Sequence, residues 1–257
     1  MDMAFKDAFI RLWQEHFDGA ELPLCFYYTD EEGRAERPGA GTLPRCLIGA
    51  LSEVRNGRPL CFDAEAIGCP GGRRYAGFSG QLMPDFEHFL SCGIPGRMQG
   101  ERYKKTPELV REVMRLAPAF KAPSRFLVFK RWDRLEPRDE PAVAVFFAVP
   151  DVLAGLFTLA NFDEAEPNGV LAPFGAGCST IIQYPFLEAR SSRPRGVIGL
   201  FDVSARPFVP PGVLTFSVPW AKLAIMADNA GESFLITPSW RKVQTRIHRL
   251  MSNSPEM

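Results

Sequence analysis

Residues 142–162, AVAVFFAVPDVLAGLFTLANF, make a long apolar run that is broken at its centre by Pro150 and Asp151. The run is long enough to cross a bilayer, but a charged side chain at that depth costs several kcal/mol. Proline disrupts a central strand yet suits the first turn of a helix. The pattern therefore predicts a buried strand, a turn and a buried helix in a soluble, cytoplasmic protein that does not contact a membrane.

The 257 residues are sufficient for one compact domain with a substantial core. We expect a single domain over residues 1–257; two lobes, 1–135 and 136–257, are the alternative. The 30 basic residues balance the 30 acidic ones, which disfavours nucleic acid as a partner because proteins that bind it carry a basic surface. The N-terminal segment lacks the basic leader and unbroken apolar stretch of a signal peptide and predicts an amphipathic helix.

Helical and strand-like segments alternate along the chain. Thr106 suits the N-cap of a helix that begins at Pro107, and Gly57 marks the end of a helix that starts near Leu47. A last helix is expected near 219–229, followed by a polar tail. The strand-like runs are LPLCFYYT, PLCFD, RFLVFKRW, RGVIGLFDV and VLTFSVPW. The alternation predicts an α+β or α/β fold with a mixed sheet flanked by helices and with cysteines on glycine-rich loops.

The six cysteines fall into two groups by their neighbours. Two of them, Cys25 and Cys61, lie between bulky apolar residues in strand-like runs and are expected in the core. The other four each have glycine nearby, in CLIGA, GCPGG, SCGIPG and GAGCST; they are Cys46, Cys69, Cys92 and Cys178. Thiols in the cytoplasm stay reduced, so metal binding or catalysis is favoured over disulfides.

Four thiolates meet the ligand requirement of a cubane cluster or a structural zinc site. Glycine beside such a thiolate lets consecutive backbone N–H groups point at the anionic sulfur. The paired C-x-x-C spacing typical of zinc sites is absent, so an iron–sulfur cluster, of the 4Fe–4S type if four thiols meet, is preferred to zinc. The ordinary alternative is that the cysteines are simply buried.

The ordered motifs PRCLIGAL, GCPGG, SCGIPG, VFFAVPDVLAGLFTLANFD, PFGAGCST and GLFDVSARPFVPPGVLTFSVPW resemble the prokaryotic domain of unknown function 169 family, also labelled uncharacterised ArCR. The similarity runs from about Leu22 to Lys222. The resemblance implies no established reaction. It implies that the family's cysteine–glycine motifs correspond to Cys46, Cys69, Cys92 and Cys178, whereas Cys25 and Cys61 fall outside them.

The GAGCST turn, 175–180, is typical of a helix N-terminus, where the pKa of Cys178 is expected to fall. A dinucleotide fingerprint would need a third glycine where Thr180 stands, so NAD is disfavoured. The turn could instead bind an anion or a cluster. Together with the basic side chains that follow the glycine loops, the predicted anion-binding residues are Arg73, Arg97, Gly177 and Ser179.

Two functions therefore stand from the sequence. The preferred one is an iron–sulfur or metal-binding protein with a redox, sensing or small-ligand role, whose partner is a small molecule or a redox protein. The alternative is a metal-free small-molecule enzyme or binding protein with an anion pocket and at most one reactive thiol. For such a thiol, His88 is the candidate base, because a helical PDFEHFLS would place it on the same face as Cys92. The sequence leaves the reaction and the oligomeric state open.

Overall fold

The computed structural model describes residues 1–39 and 46–252, with side chains up to Arg249. Its α-helices are α1 Met3–His16, α2 Leu47–Arg55, α3 Pro70–Tyr75, α4 Phe86–Phe89, α5 Pro107–Leu116, α6 Pro150–Ala160, α7 Tyr184–Glu188, α8 Trp220–Asn229 and α9 Pro238–Ser252. Its strands are β1 Leu24–Thr29, β2 Leu60–Phe62, β3 Gly93–Ile94, β4 Met98–Gln99, β5 Phe126–Arg131, β6 Val143–Ala148, β7 Val170–Leu171, β8 Gly196–Gly199 and β9 Leu214–Pro219.

Seven strands form one sheet in the order β2-β5-β1-β6-β9-β8-β7, and β3 pairs with β4 in a separate small hairpin. The pairs within the large sheet are antiparallel except for the short parallel pair of β7 and β8. The sheet is thus mixed and flanked by helices, and the expected α+β class is confirmed. The antiparallel pairing excludes the α/β alternative, whose sheets are mostly parallel.

Strand β6 lies in the middle of the sheet and is buried on both faces. Val143, Val145 and Phe147 point into one hydrophobic cluster, together with α2, residues near α3, and the helical segment after Cys178; we call these helices the front layer. Ala144 and Phe146 point into a second cluster covered by α1, α6, α8 and α9, the back layer. The sheet therefore carries a separate core on each face.

The apolar run 142–162 forms the predicted strand, turn and helix. Strand β6 ends at Ala148, Pro150 occupies the first turn of α6, and Asp151 follows it there. The Asp151 carboxylate forms an ion pair with the guanidinium of Arg246 at 3.1 Å. Among the helices described here, none is both long enough and apolar enough to span a bilayer.

The predicted polar tail is wrong in one respect, because it contains helix α9. Trp240 and Ile247 of α9 are buried in the back layer, and the Trp240 indole donates a hydrogen bond to the carbonyl of His16 at 3.0 Å. The sequence nevertheless carries the signals of this helix, because Thr237 and Pro238 match the Thr-Pro start of α5 and apolar residues recur at helical spacing from Trp240 to Ile247. Docking of these apolar residues against the back layer adds to the stability of the helix.

A buried ion pair fixes the loop between β5 and β6. The ammonium of Lys130 lies 3.0 Å from the carboxylate of Asp139, and both side chains are almost fully buried. The Tyr27 hydroxyl donates a hydrogen bond to the same carboxylate. The half-exposed carboxylate of Glu136 is a second partner of Lys130, at 3.1 Å.

We expect Asp139→Ala to lower the free energy of unfolding by about 3–5 kcal/mol, because it leaves the Lys130 charge buried without its inner partner. The control is Glu136→Ala, which removes the exposed partner and should cost about 1 kcal/mol or less. Urea unfolding followed by circular dichroism measures both. Equal losses for the two variants would contradict the assignment of Asp139 as the structural partner.

Candidate functional site

Three of the four glycine-flanked cysteines lie where helices of the front layer begin. Cys46 is the N-cap of α2 and Cys69 is the N-cap of α3. Cys178 immediately precedes a π-helix, Ser179–Gln183, that continues into α7. The Cys69 sulfur accepts a hydrogen bond from the Gly72 amide at 3.1 Å. At the start of α3, a backbone amide therefore caps a cysteine sulfur.

The segments that carry these three thiols pack together, although residues 46 and 178 are far apart in sequence. Cys178 belongs to the front-layer hydrophobic cluster, and Cys46 and Cys69 pack against that cluster. A Cβ added to Gly72 would lie 2.8 Å from the Cys69 sulfur and 3.3 Å from Leu47 at the start of α2, and one added to Gly177 would lie 3.4 Å from Ile48. The start of α2 thus contacts both other segments.

The predicted fall in the pKa of Cys178 is wrong. Burial raises the pKa of this thiol well above its ordinary value, and the neighbouring charges of Cys69, Cys46 and Asp202 raise it further. Burial also raises the pKa of Cys46, and the amides of Gly49 and Ile48 offset only part of the rise. The free energy lost when a thiolate is removed from water exceeds the stabilisation that the helix start gives it. The thiols of Cys46 and Cys178 are therefore protonated at neutral pH.

The Asp202 carboxylate joins the segments around the thiols. It accepts hydrogen bonds from the Gly177 amide at 3.1 Å and from the hydroxyl of Tyr103 at 3.4 Å. Its own turn is closed by Ser204, whose hydroxyl donates to it at 2.8 Å. The buried Leu200, two residues earlier, has a φ of +69°, an uncommon conformation for leucine that is typical of functional sites.

Thr180 fastens the π-helix to the end of β8. Its hydroxyl donates to the Gly177 carbonyl at 3.0 Å and accepts from the Leu200 amide at 3.2 Å. Gly199 has no room for a side chain, because an added Cβ would overlap Thr180. Thr180, which stands where a dinucleotide fingerprint would need a glycine, therefore links the Cys178 segment to the sheet.

Cys92 lies apart from the three thiols in its contacts. Its side chain is exposed beside the β3–β4 hairpin, and its S–H donates to the Gly93 carbonyl at 3.5 Å. The hairpin lines an open depression of about 520 Å³. Its segment reaches the site indirectly, because the Arg102 amide bonds to the Ser91 carbonyl at 3.0 Å and the adjacent Tyr103 bonds to Asp202.

His88 and Cys92 do not share a helix, because α4 ends at Phe89. Nδ1 of His88 is buried and has no hydrogen-bond partner among the described residues, and no hydrogen bond joins it to Cys92 within the described chain. Cys25 and Cys61 are buried in the core as predicted, and burial raises the pKa of Cys61 to about 11.

The four predicted anion-binding residues occupy different situations. Arg97 forms an ion pair with Asp85 at 2.5 Å. The Gly177 amide already binds an anion, the Asp202 carboxylate, and the Ser179 hydroxyl donates to the Ala176 carbonyl at 2.7 Å. Arg73 differs, because its Nε is buried without an acceptor from the described part of the chain.

Asp202 and Tyr103 are the site residues that the sequence did not indicate. The spacing of Asp202 and Ser204 is typical of an Asx turn, a local signal that was available. Nothing local connects Asp202 to Tyr103, which lies about 100 positions earlier. In residues 1–39 and 46–252, no group of three or more His, Cys, Asp or Glu side chains is arranged to hold a single metal ion.

The fold and the site together define a class of α+β protein in which cysteines at three helix starts lie beside a carboxylate. The sequence profile of the domain of unknown function 169 family, described as uncharacterised ArCR, matches residues 14–229, and the chain belongs to this family. Comparisons with curated proteins and with solved structures gave no match.

In metal-free protein we expect Cys92 to react first with a disulfide reagent and Cys178 to react at least about tenfold more slowly, because thiolate character and exposure control the rate. The measurement is the time course of labelling with peptide mapping. Cys92→Ala should remove the fast phase. A fast phase that persists in this variant would contradict the assignment.

Proposed function

We propose that the protein binds an iron–sulfur cluster or a related thiolate-ligated metal centre. Cys46, Cys69 and Cys178 are the ligands at its core, and Cys92 is the fourth candidate. The observation that supports the proposal is that three cysteines from distant parts of the chain lie at the starts of front-layer helices and pack on the same hydrophobic cluster.

The surroundings of the thiols suit a negatively charged centre. Helix starts direct unpaired amide N–H groups outward and favour anions. The Gly72 amide already donates to the Cys69 sulfur, and such hydrogen bonds tune the potential of a cluster. A bound metal cation would stabilise the thiolate forms of Cys46 and Cys178, which burial destabilises.

The sequence pattern of the cysteines favours a cluster over one zinc ion. Four thiolates around zinc lie within about 4 Å of each other, given a Zn–S bond of about 2.3 Å and tetrahedral geometry. The thiolates of a cubane bind different irons and lie further apart. The sequence contains no C-x-x-C pair of the kind that zinc sites use, and for this reason a cluster is preferred.

A bound cluster would supply one-electron transfer or activation of a small ligand, which corresponds to a redox, sensing or ligand-activating role. The chain's own residues would set its position. Asp202 holds the Gly177 amide next to Cys178 and the Tyr103 hydroxyl of the Cys92 segment. The carboxylate would thereby keep the fourth cysteine's segment close to the other three.

Anaerobic reconstitution with iron and sulfide tests the proposal. The wild-type protein should turn brown, with thiolate–iron absorbance near roughly 400 nm. Cys46→Ala, Cys69→Ala and Cys178→Ala should each lose most of the bound iron, because each removes a ligand at the core. Iron and acid-labile sulfide are measured per chain, and circular dichroism verifies that each variant is folded.

Cys25→Ala and Cys61→Ala are the matched controls, since they delete buried thiols outside the site. They should retain wild-type iron content. Iron content that is equal in all five variants, or a colourless wild-type protein without iron, would refute the proposal. Cys92→Ala distinguishes a site with four cysteine ligands from a site with three. Loss of iron in this variant indicates that Cys92 is the fourth ligand, and retention indicates three cysteine ligands.

Metal affinity should rise steeply with pH, because the protonated thiols of Cys46 and Cys178 must release their protons to bind metal. Each released proton changes the affinity by about tenfold per pH unit below the thiol pKa. Titration with Co²⁺, followed by thiolate charge-transfer absorbance between about pH 6.5 and 8.5, measures this. An affinity independent of pH would show that these thiols are not the ligands.

A further inference from the structure

Carboxylates neutralise many arginines and lysines elsewhere on the described surface, but a group of cations near the thiols has no such partner. No described carboxylate forms an ion pair with these side chains, which we call the free cations: Arg73, Arg74, Arg102, Lys104 and Lys105. Residues 101–105 carry three of them against one carboxylate, Glu101. Uncompensated charge concentrated in one place is typical of a surface that receives an anion.

Residues 102–105 are held beside the Cys178 segment. The Tyr103 hydroxyl donates to Asp202, whose other oxygen binds the Gly177 amide. The ammonium of Lys104 lies 3.8 Å from the ring centre of Phe174, three residues before Gly177. The cations on either side of Tyr103 therefore lie at the edge of the thiol site.

Arg73 and Arg74 approach the same place from α3, the helix that begins after Cys69. The Arg74 guanidinium donates to the Gly80 carbonyl at 2.7 Å and has no carboxylate partner among the described residues. The Nε of Arg73 is buried without a hydrogen-bond acceptor among the described residues. An unpaired buried guanidinium nitrogen is costly, and an anionic ligand would satisfy it.

Exposed apolar side chains accompany the free cations. Phe174, Phe201 and Val203 are 58%, 56% and 67% exposed, although Phe201 and Val203 flank Asp202 in sequence. An apolar group beside several cations suits a ligand with an anionic end and a flat apolar body. Phosphate accepts hydrogen bonds from several cations at once, and an aromatic face stacks on a nucleobase.

We infer that this surface binds a phosphorylated small molecule of the nucleotide class, with its phosphates on the free cations and its base against Phe174. The inference goes beyond the proposed metal centre and does not require it, because none of the free cations is a proposed ligand. It places the ligand next to the thiols.

Isothermal titration of the full chain with ADP, adenosine and pyrophosphate tests the inference. ADP should bind at least about tenfold more tightly than adenosine or pyrophosphate, because only ADP contacts both the cations and the Phe174 ring. The triple variant Arg102→Gln/Lys104→Gln/Lys105→Gln should bind ADP at least about tenfold more weakly. Phe174→Ala should weaken ADP more than pyrophosphate, because it removes the base contact of ADP but only the packing partner of Lys104 for pyrophosphate.

Matched controls separate local contacts from overall charge. Arg241→Gln/Lys242→Gln/Arg249→Gln removes three cations from α9 in the back layer, and Phe157→Ala removes an exposed ring of α6. Both should bind ADP like the wild type. The inference is overturned if ADP does not bind at about 1 mM, if adenosine binds equally well, or if the two triple variants weaken ADP equally.

The measurement is repeated on Cys46→Ala, which removes a proposed metal ligand. ADP binding that survives in a variant without iron supports the nucleotide surface, whatever the fate of the metal proposal. Conversely, iron that is retained in the triple variant while ADP binding is lost shows that the two functions are separate. Loss of ADP binding in Cys46→Ala, with the fold intact, would overturn the claim that the surface is independent.

Discussion

The burial of β6 on both faces is the constraint on which the rest of the structure depends. A strand with Val143, Val145 and Phe147 on one side and Ala144 and Phe146 on the other must be covered twice. The back layer covers one face with long helices, including α1 and α9. The front layer covers the other with short helices, and short helices bring their starts close together over the sheet. The thiol site is therefore a consequence of how the front face is covered.

Local pattern was sufficient for most elements, as with α5, whose Thr106 side chain accepts the Leu109 amide at 3.3 Å. It was also sufficient to separate Cys25 and Cys61 from the other thiols, because bulky neighbours indicate a core strand. The prediction of a polar tail missed α9, although the Thr237-Pro238 start and the apolar residues at helical spacing were available in the sequence. Local pattern could not bring Cys46 and Cys178 together, since their proximity depends on pairing among strands that lie far apart in sequence.

Two opposing electrostatic effects act on Cys178, and their magnitudes decide the outcome. A helix start stabilises a thiolate by a few tenths to about 1 kcal/mol at an exposed position. Full burial without a cationic partner costs more and keeps the proton on sulfur. A motif read from sequence reports only the first effect, because burial is a property of the whole fold. The same burial keeps the Cys178 thiol unreactive, because the thiolate is the reactive form.

The π-helix Ser179–Gln183 determines which way the start of its helix faces. A π turn contains one more residue than the α turn that it replaces, and each residue of an α-helix advances the side chains by about 100°. Ile181, Ile182 and Phe186 face the core. If one residue were deleted between them and Cys178, the segment could keep its apolar face on the sheet only by rotating its start. The π turn therefore lets Cys178 and the later residues Ile181, Ile182 and Phe186 all pack into the same front-layer cluster.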